Sequence, residues 1–375
     1  MSPGTSDATG SDATAAAACT GTACITVTVT GDVLLHPPLW DQARRDARSA
    51  GGHMTFDFRP LLAGQWRLVT ASDLAFCHLE TPLAPVGGPY RGYPRFSVPP
   101  QIATALNATG YDACTTASNH TLDQGTRGIR RTLNLMDAAH LRHTGSARSV
   151  SERNRTLTFN VRGTKVALLA YTYGLNGLEP PRGQTWWVNL IDLGRIRADA
   201  RAARTRGADV VVVALHWGSE YVHQPTAVQR RLARQLLTGS DIDLLYGHHA
   251  HVVQPVERVA GKWAIYGLGN AVAAQSVRRV DTQEGLLARV QLVRDRAGRW
   301  RNGRLDWVPS LIRRAAPYRW RDVDATLVSG HLDASTRRAL QEARARTKKV
   351  VESRGAARHG AHELHPPPSA LVPGS

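Results

Sequence analysis

Apolar runs of four to seven residues recur along the chain, and helical patterns lie between several of them. The β-branched run at 25–30 predicts a strand that stops at Gly31-Asp32. Six further apolar runs, at 74–77, 113–116, 165–171, 210–215, 242–246 and 263–266, read as strands, and the segments 100–109, 125–139, 193–205 and 227–237 read as helices. This alternation predicts a mixed α/β layered fold. Residues 286–293 and 300–308, around a turn at 295–298, read as a closing antiparallel hairpin, and 333–352 as a polar, Arg-rich helix. The Ser/Thr/Ala/Gly-rich segment 1–24 and the His/Pro-rich tail 355–375 are expected to be disordered. That leaves one domain over 25–315 and a basic helical extension over 316–354. His359, His362 and His365 fall in the tail and read as solvated side chains, not as metal ligands.

The 375 residues are 42% hydrophobic and 21% charged, enough for a sizeable core and unlike a collagen, coiled-coil or wholly disordered chain. No apolar run is long enough to cross a membrane as a helix. The formal charge of +17 raises a nucleic-acid reading. Of the 47 cations, however, only Lys165, Lys262, Lys348 and Lys349 are lysines, a skew towards Arg that looks like base composition. Between Arg294 and Arg358, 17 Arg/Lys stand against 7 Asp/Glu, a net of +10, so most of the excess lies away from the motifs below. No nucleic-acid motif accompanies the charge, which reads chiefly as solvated surface. The other reading is an anion-binding face for an acidic polymer or an anionic envelope. The four cysteines form no CxxC pair, which disfavours a zinc knuckle. Cys77 and Cys114 sit in apolar runs and read as small core residues. Cys19 and Cys24 are close enough to pair in an oxidising compartment. The N-terminal segment lacks the basic and apolar regions of a signal peptide, so as written it fits a cytoplasmic chain.

The chemistry collects where strands end, as it does in open α/β sheets. The run 25–30 leads to Asp32; 74–77 to His78 and Glu80; 113–116 to Ser118, Asn119, His120 and Asp123. The run 210–215 leads to His216 and Glu220; 242–246 to His248, His249 and His251; 263–266 to Asn270. One such residue is usually a cap or turn former; their recurrence at successive strand ends is far less expected from chance. Imidazoles with carboxylates suit Mn, Fe, Zn or Ni and argue against calcium or a thiolate zinc site. The ligands outnumber what one tetrahedral ion needs, which points to a two-metal centre.

Gly31-Asp32-Val33-Leu34-Leu35, His78-Leu79-Glu80, Ala117-Ser118-Asn119-His120 with Asp123, His216-Trp217-Gly218-x-Glu220-Tyr221, Gly247-x-His249-x-His251-Val252 and Tyr266-Gly267-Leu268-Gly269-Asn270 together resemble the CapA family of capsule, or poly-γ-glutamate, biosynthesis proteins. The match runs in order from about residue 25 to 310. The resemblance implies the calcineurin-like metallophosphatase superfamily: a four-layer sandwich of two central mixed β-sheets flanked by helices, with two divalent ions (Mn, Fe or Zn) at loop ends. It implies Asp32, Glu80, Asn119, His216, His249 and His251 as metal ligands and His120 as proton donor, oriented by Asp123. Glu220 would orient a metal-bound His, Asn270 would contact the ligand, and His78 is an extra ligand or supporting residue on the face of Glu80. Leu34 departs from the pattern, because the superfamily usually has a His there; His36 is a weak substitute. The resemblance also implies an envelope or extracellular place, beside biosynthesis machinery.

Three functions remain. One is a CapA-like protein in synthesis, release or transport of an anionic polymer such as poly-γ-glutamate. A second is a free-standing phosphoesterase on a small phosphorylated molecule. The third is a non-catalytic polyanion-binding module.

Overall fold

The computed structural model describes residues 19–51, 53–275, 279–312, 316–329 and 332–365. The runs expected to be strands lie side by side there in two mixed sheets. In chain order the strands are β1 (Ala23–Leu34), β2 (Leu74–Leu79), β3 (Ala113–Thr115), β4 (Arg142–Thr144), β5 (Leu157–Val161), β6 (Thr164–Thr172), β7 (Val210–His216), β8 (Leu244–His248), β9 (Val256–Val259), β10 (Lys262–Ile265), β11 (Asn270–Ala273), β12 (Glu284–Arg294), β13 (Trp300–Ile312), β14 (Trp320–Asp322) and β15 (Ala361–Glu363). Nine form one sheet, ordered β14-β13-β12-β1-β2-β3-β4, with β11 beside β1 and β15 beside β13. Six form the other, ordered β5-β6-β7-β8-β10-β9. Pairing is parallel from β1 to β4 and from β6 through β7 and β8 to β10.

Alternation of side chains decides what covers each face of the second sheet. Val210, Val212 and Ala214 of β7 join the core between the sheets, with Val27, Val29 and Phe76 from the first. Val211, Val213 and Leu215 face the other way, onto Ile196 and Ala200 of helix Leu193–Thr205 and Ala233 and Leu236 of helix Ala227–Leu237. Helices Gln101–Thr109 and Gly125–Ala138 bury Ile102, Leu106, Ile129 and Leu133 against the first sheet. The layers are therefore helix, sheet, sheet, helix, as the resemblance implied.

β1 does not stop at Gly31-Asp32. It runs on to Leu34 by changing partner: Ala23–Thr30 pair antiparallel with β12, and Asp32–Leu34 pair parallel with β11, with a register shift after Asp32. Gly31 sits at the change-over, where an added Cβ would lie 2.3 Å from the Gly269 carbonyl oxygen. Only a glycine lets the two backbones approach so closely. Gly31→Ala is expected to lower stability by about 1–3 kcal/mol, the usual range for overpacking; calorimetry should register a fall of several degrees in Tm.

Two expectations fail in ways that one sequence conceals. Cys77 and Cys114 are buried, but they are also directly opposed in the β2–β3 register and joined as a disulfide with Cα atoms 4.4 Å apart. Their runs announced burial; the register that pairs them is a long-range property. Cys19 and Cys24 pair as their spacing allowed. The tail, expected to be disordered from 355, instead lays β15 parallel to β13 at Leu305–Trp307 and buries Leu364. Glu363 anchors it by accepting from Arg344 (2.7 Å) and Lys348 (3.2 Å). Residues 1–18 and 366–375 lie outside the described residues.

The basic extension is tied down in the same manner. Arg346 of helix Ala334–Glu352 pairs with Glu284 at 2.6 Å, and Arg354 with Glu257 at 2.8 Å. Part of the cationic excess is thus structural. At its base, Asp322 caps helix Val323–Val328 by accepting from the Ala325 N–H. Burial, with the Asp324 charge beside it, pushes the Asp322 carboxyl up to about 7 despite that bond. A folded carboxyl held above its unfolded value binds its proton more tightly than the unfolded chain. Its contribution is full below about pH 4 and fades as pH rises towards 7. Asp322→Asn is expected to gain in Tm relative to the parent across that interval, as read by calorimetry at stepped pH.

Candidate metal centre

Both sheets end at one place. The first sheet brings Asp32 from β1, His78 from β2 with Glu80 just beyond it, and Asn119 and His120 from the turn after β3. The second brings His216 from β7, His248 from β8, and His249 and His251 from the turn that follows. All these side chains are buried, none more than 6% exposed. His249 and His251 hold φ values of 89° and 54°, a left-handed backbone that non-glycine residues adopt at a cost.

The Asp32 carboxylate is the hub. Its Oδ1 lies 2.7 Å from His248 Nδ1 and its Oδ2 lies 3.0 Å from His251 Nδ1, and the His249 N–H donates to Oδ2 at 3.3 Å. Burial alone would raise the Asp32 pKa, but the bonds from His248 and His251 outweigh it and hold the carboxyl well below its usual value. Glu80 Oε1 stands 3.5 Å from His251 Nε2 and 3.9 Å from His216 Nε2. Burial drives Glu80 well above the usual carboxyl range, only partly relieved by His251. Burial pulls on His251 too, yet the facing Glu80 and Asp32 carboxylates lift it to about 9. Burial, with the His251 charge nearby, takes His249 down to about 3, and the Asp32 carboxylate offsets this only in part. His216 Nε2 is 2.9 Å from Asn119 Oδ1.

The donor set can be tested against a cation. Both Glu80 oxygens, His248 Nε2 and His249 Nδ1 are buried without a hydrogen-bond partner. A buried carboxylate with neither oxygen bonded costs several kcal/mol unless something pairs with it. Carboxylate oxygens and imidazole lone pairs converging in the interior are what a divalent transition ion accepts. Asp32, Glu80 and His251 bring one ligand-type atom each within 4.8 Å of one another, as do Glu220, His249 and His251, and Asp32, His78 and His248. The residues present fit metal.

The turn after β3 holds His120 and Asp123 together. His120 Nδ1 lies 2.8 Å from Asp123 Oδ2, which also accepts the Phe96 N–H at 2.7 Å. The Phe96 ring meets the His120 ring edge-on at 4.8 Å. Ser118 Oγ joins the two sides, donating to the Glu80 carbonyl at 2.6 Å and accepting from the His120 N–H at 3.1 Å. Asn270 Oδ1 is 3.1 Å from His251 Nδ1, and its amide donates to the His251 carbonyl, so it braces the His251 turn. Glu220 sits exposed at the rim. Leu34 is buried in the core, and His36 is spent on backbone: its Nδ1 lies 3.1 Å from the Leu34 oxygen and 3.2 Å from the Ala274 nitrogen.

One residue was named from the sequence without a role, and two escaped it. His248 stood in plain sight beside His249, but its role follows from β8 alternation, which turns it inward to Asp32. Tyr173 sets its ring at a tilt beside His249, centroids 4.5 Å apart, and Asn176 accepts from the Asn119 amide at 3.2 Å. Both lie in the loop after β6, where no motif marks them.

The family model described as "Bacterial capsule synthesis protein PGA_cap" matches residues 26–275, two thirds of the chain and every residue of the cluster. The chain belongs to this family. Its PGA_cap relatives include the PGA biosynthesis protein CapA of Bacillus subtilis, 29% identical over 202 residues that cover 52% of this chain and 50% of the relative. The capsule biosynthesis protein CapA of Bacillus anthracis is 29% identical over 223 residues, covering 58% and 52%. This PGA_cap chain thus spans about half the length of both. The calcineurin-like phosphoesterase YfkN of B. subtilis has a similar backbone course at 16% identity and a TM-score of 0.42, covering 86% of this chain and 97% of that one.

Proposed function

We propose that this PGA_cap protein acts on an anionic capsule polymer such as poly-γ-glutamate, in its synthesis, release or transport, through a hydrolase-type centre for two divalent ions. The observation that carries the reading is Glu80. Its two buried oxygens make no hydrogen bond, and Oε1 lies 3.5 Å from His251 Nε2 and 3.9 Å from His216 Nε2. Asp32, Glu80, Asn119, His216, His249 and His251 would hold the ions. Bound there, Mn, Fe or Zn would lower the pKa of a shared water and clamp an oxyanion.

The rest is work for this chain's own side chains. Asp123 holds His120 through Nδ1, leaving Nε2 to carry a proton to a leaving group. Asn270 braces the His251 turn and Asn176 holds the Asn119 amide. Tyr173, its ring tilted beside that of His249, would narrow the approach.

The polymer reading draws on the relatives' names and on one surface. A groove along β5 is lined by Arg142, Arg155, Lys165 and Arg206, none of which has an acidic side chain at ion-pair distance among the described residues. Arg155→Glu is expected to weaken binding of poly-γ-glutamate several-fold at low salt, with the two proteins converging near about 1 M, where charges are screened. Equal binding at every salt concentration would remove this groove from the reading.

Leu34 supports a second reading, a binding module with an incomplete metal position. Metal content by plasma mass spectrometry, followed by turnover of aryl phosphates and of γ-glutamyl polymer with Mn, decides between them. One to two equivalents of metal with turnover supports the hydrolase. Polymer binding without turnover leaves the module, and absence of metal after reconstitution rules the hydrolase out.

A further inference from the structure

Two of the candidate ligands, His216 and Asn119, end an unbroken line of polar contacts whose other members, His78 and Thr115, the proposed chemistry does not use. Thr115 Oγ1 lies 2.8 Å from His78 Nδ1, His78 Nε2 lies 3.0 Å from His216 Nδ1, and His216 Nε2 lies 2.9 Å from Asn119 Oδ1. At the far end Thr115 Oγ1 reaches the Cys77 carbonyl at 3.4 Å. All four side chains are buried. Strand register builds the line, because Thr115 stands opposite His78 in the β2–β3 pair and His216 ends β7 on the facing sheet.

A neutral imidazole has one N–H and one lone pair, so the line can be polarised in only two ways. In the first, His216 Nε2–H donates to Asn119 Oδ1, His78 Nε2–H donates to His216 Nδ1, and the Thr115 hydroxyl donates to His78 Nδ1. In the second, the lone pair of His216 Nε2 is free for a metal ion. His216 Nδ1–H then donates to His78 Nε2, His78 Nδ1–H donates to Thr115 Oγ1, and the Thr115 hydroxyl turns to the Cys77 carbonyl. Every donor within the line finds an acceptor in both senses.

We infer that His78 is a positioning residue for His216, fixing its ring and its tautomer through Thr115, and that it is not itself a ligand. The inference rests on the metal-centre reading above. Asp32, His78 and His248 do bring ligand-type atoms together. Both His78 nitrogens are already engaged, however, and its ring stacks on His248 at 4.1 Å and 17°. Turning His78 towards Asp32 would break both bonds and strand His216 Nδ1 in the interior, at a cost of about 1–3 kcal/mol. A partner of this kind is worth roughly 10–100-fold in metal affinity.

Two measurements test it. The first is the long-range proton–nitrogen spectrum of full-length protein labelled with 15N-histidine, with His78 and His216 assigned by substitution. Without metal, both rings should carry the proton on Nε2; with zinc, both should carry it on Nδ1. A proton on Nδ1 of either ring in metal-free protein overturns the inference. The second is the zinc dissociation constant, by chelator competition, for the parent, His78→Phe and His78→Gln. Phe keeps the bulk without the bond and should weaken binding about 10–100-fold at unchanged stoichiometry. Gln places an amide near Nε2 and should stay within several-fold of the parent. No loss in Phe, or an equal loss in Gln, refutes the relay. Loss of a whole equivalent makes His78 a ligand and also refutes it. A parent that binds no zinc sinks the metal-centre reading, while the metal-free tautomers still decide whether His78 orients His216.

Discussion

Glu80→Gln is expected to abolish metal retention and, among metal-free proteins, to melt above the parent. The two effects have one cause. The Glu80 carboxyl is buried with neither oxygen bonded, and burial drives it well above its usual pKa. The metal-free parent bears the desolvation of that group, on the order of a few kcal/mol. Gln has the same shape and no charge, so it removes most of this cost and with it the carboxylate that faces His251 and His216. Adding metal at about 100 times its dissociation constant should stabilise the parent by roughly 2.7 kcal/mol. The same addition should leave the variant unmoved. Calorimetry of both proteins, with and without Mn, reads all four states. Equal melting temperatures throughout would show that Glu80 faces no cation.

His120→Asn is expected to cut kcat on the order of 10²–10⁴-fold, the usual share of a positioned proton carrier. Metal content should not change, since His120 is engaged with Asp123 and Phe96 and not with the ligand cluster. Asp123→Asn should follow it part of the way. That substitution removes the charged acceptor of His120 Nδ1 and disturbs the Phe96 N–H that shares the same oxygen. The pair of variants separates proton transfer from metal loading. Turnover of an aryl phosphate that survives His120→Asn at the parental rate would take His120 out of the mechanism.

Much of the fold was legible because its strands are apolar on both faces. Runs such as 210–215 are bounded by turn signals and separated by helical patterns, and that suffices to predict layered α/β structure. The cluster was legible for a related reason. Parallel strands bring their C-terminal ends together, so polar residues just after each strand converge without any knowledge of register. What register alone decides stayed hidden: the Cys77–Cys114 pairing, the partner change of β1 at Gly31, and the alignment of Thr115 with His78. Tail strand β15 was also illegible, since three residues beside a His/Pro-rich stretch carry no period of their own. His248 is intermediate. Its residue type was visible, but two histidines next to it satisfied the motif first.

The division of the cluster between the sheets bears on exchange kinetics. Asp32, Glu80 and Asn119 belong to the first sheet, and His216, His249 and His251 to the second. An ion gripped from both sides spans the interface like a rivet. Such an ion, held as proposed, would leave by local parting of the sheets or movement of the loop at Tyr173, so its residence time would be governed by breathing of the sandwich rather than by the strength of any one bond. Two proteins with identical ligands but differently packed sheets would then equilibrate with metal to the same endpoint on very different clocks.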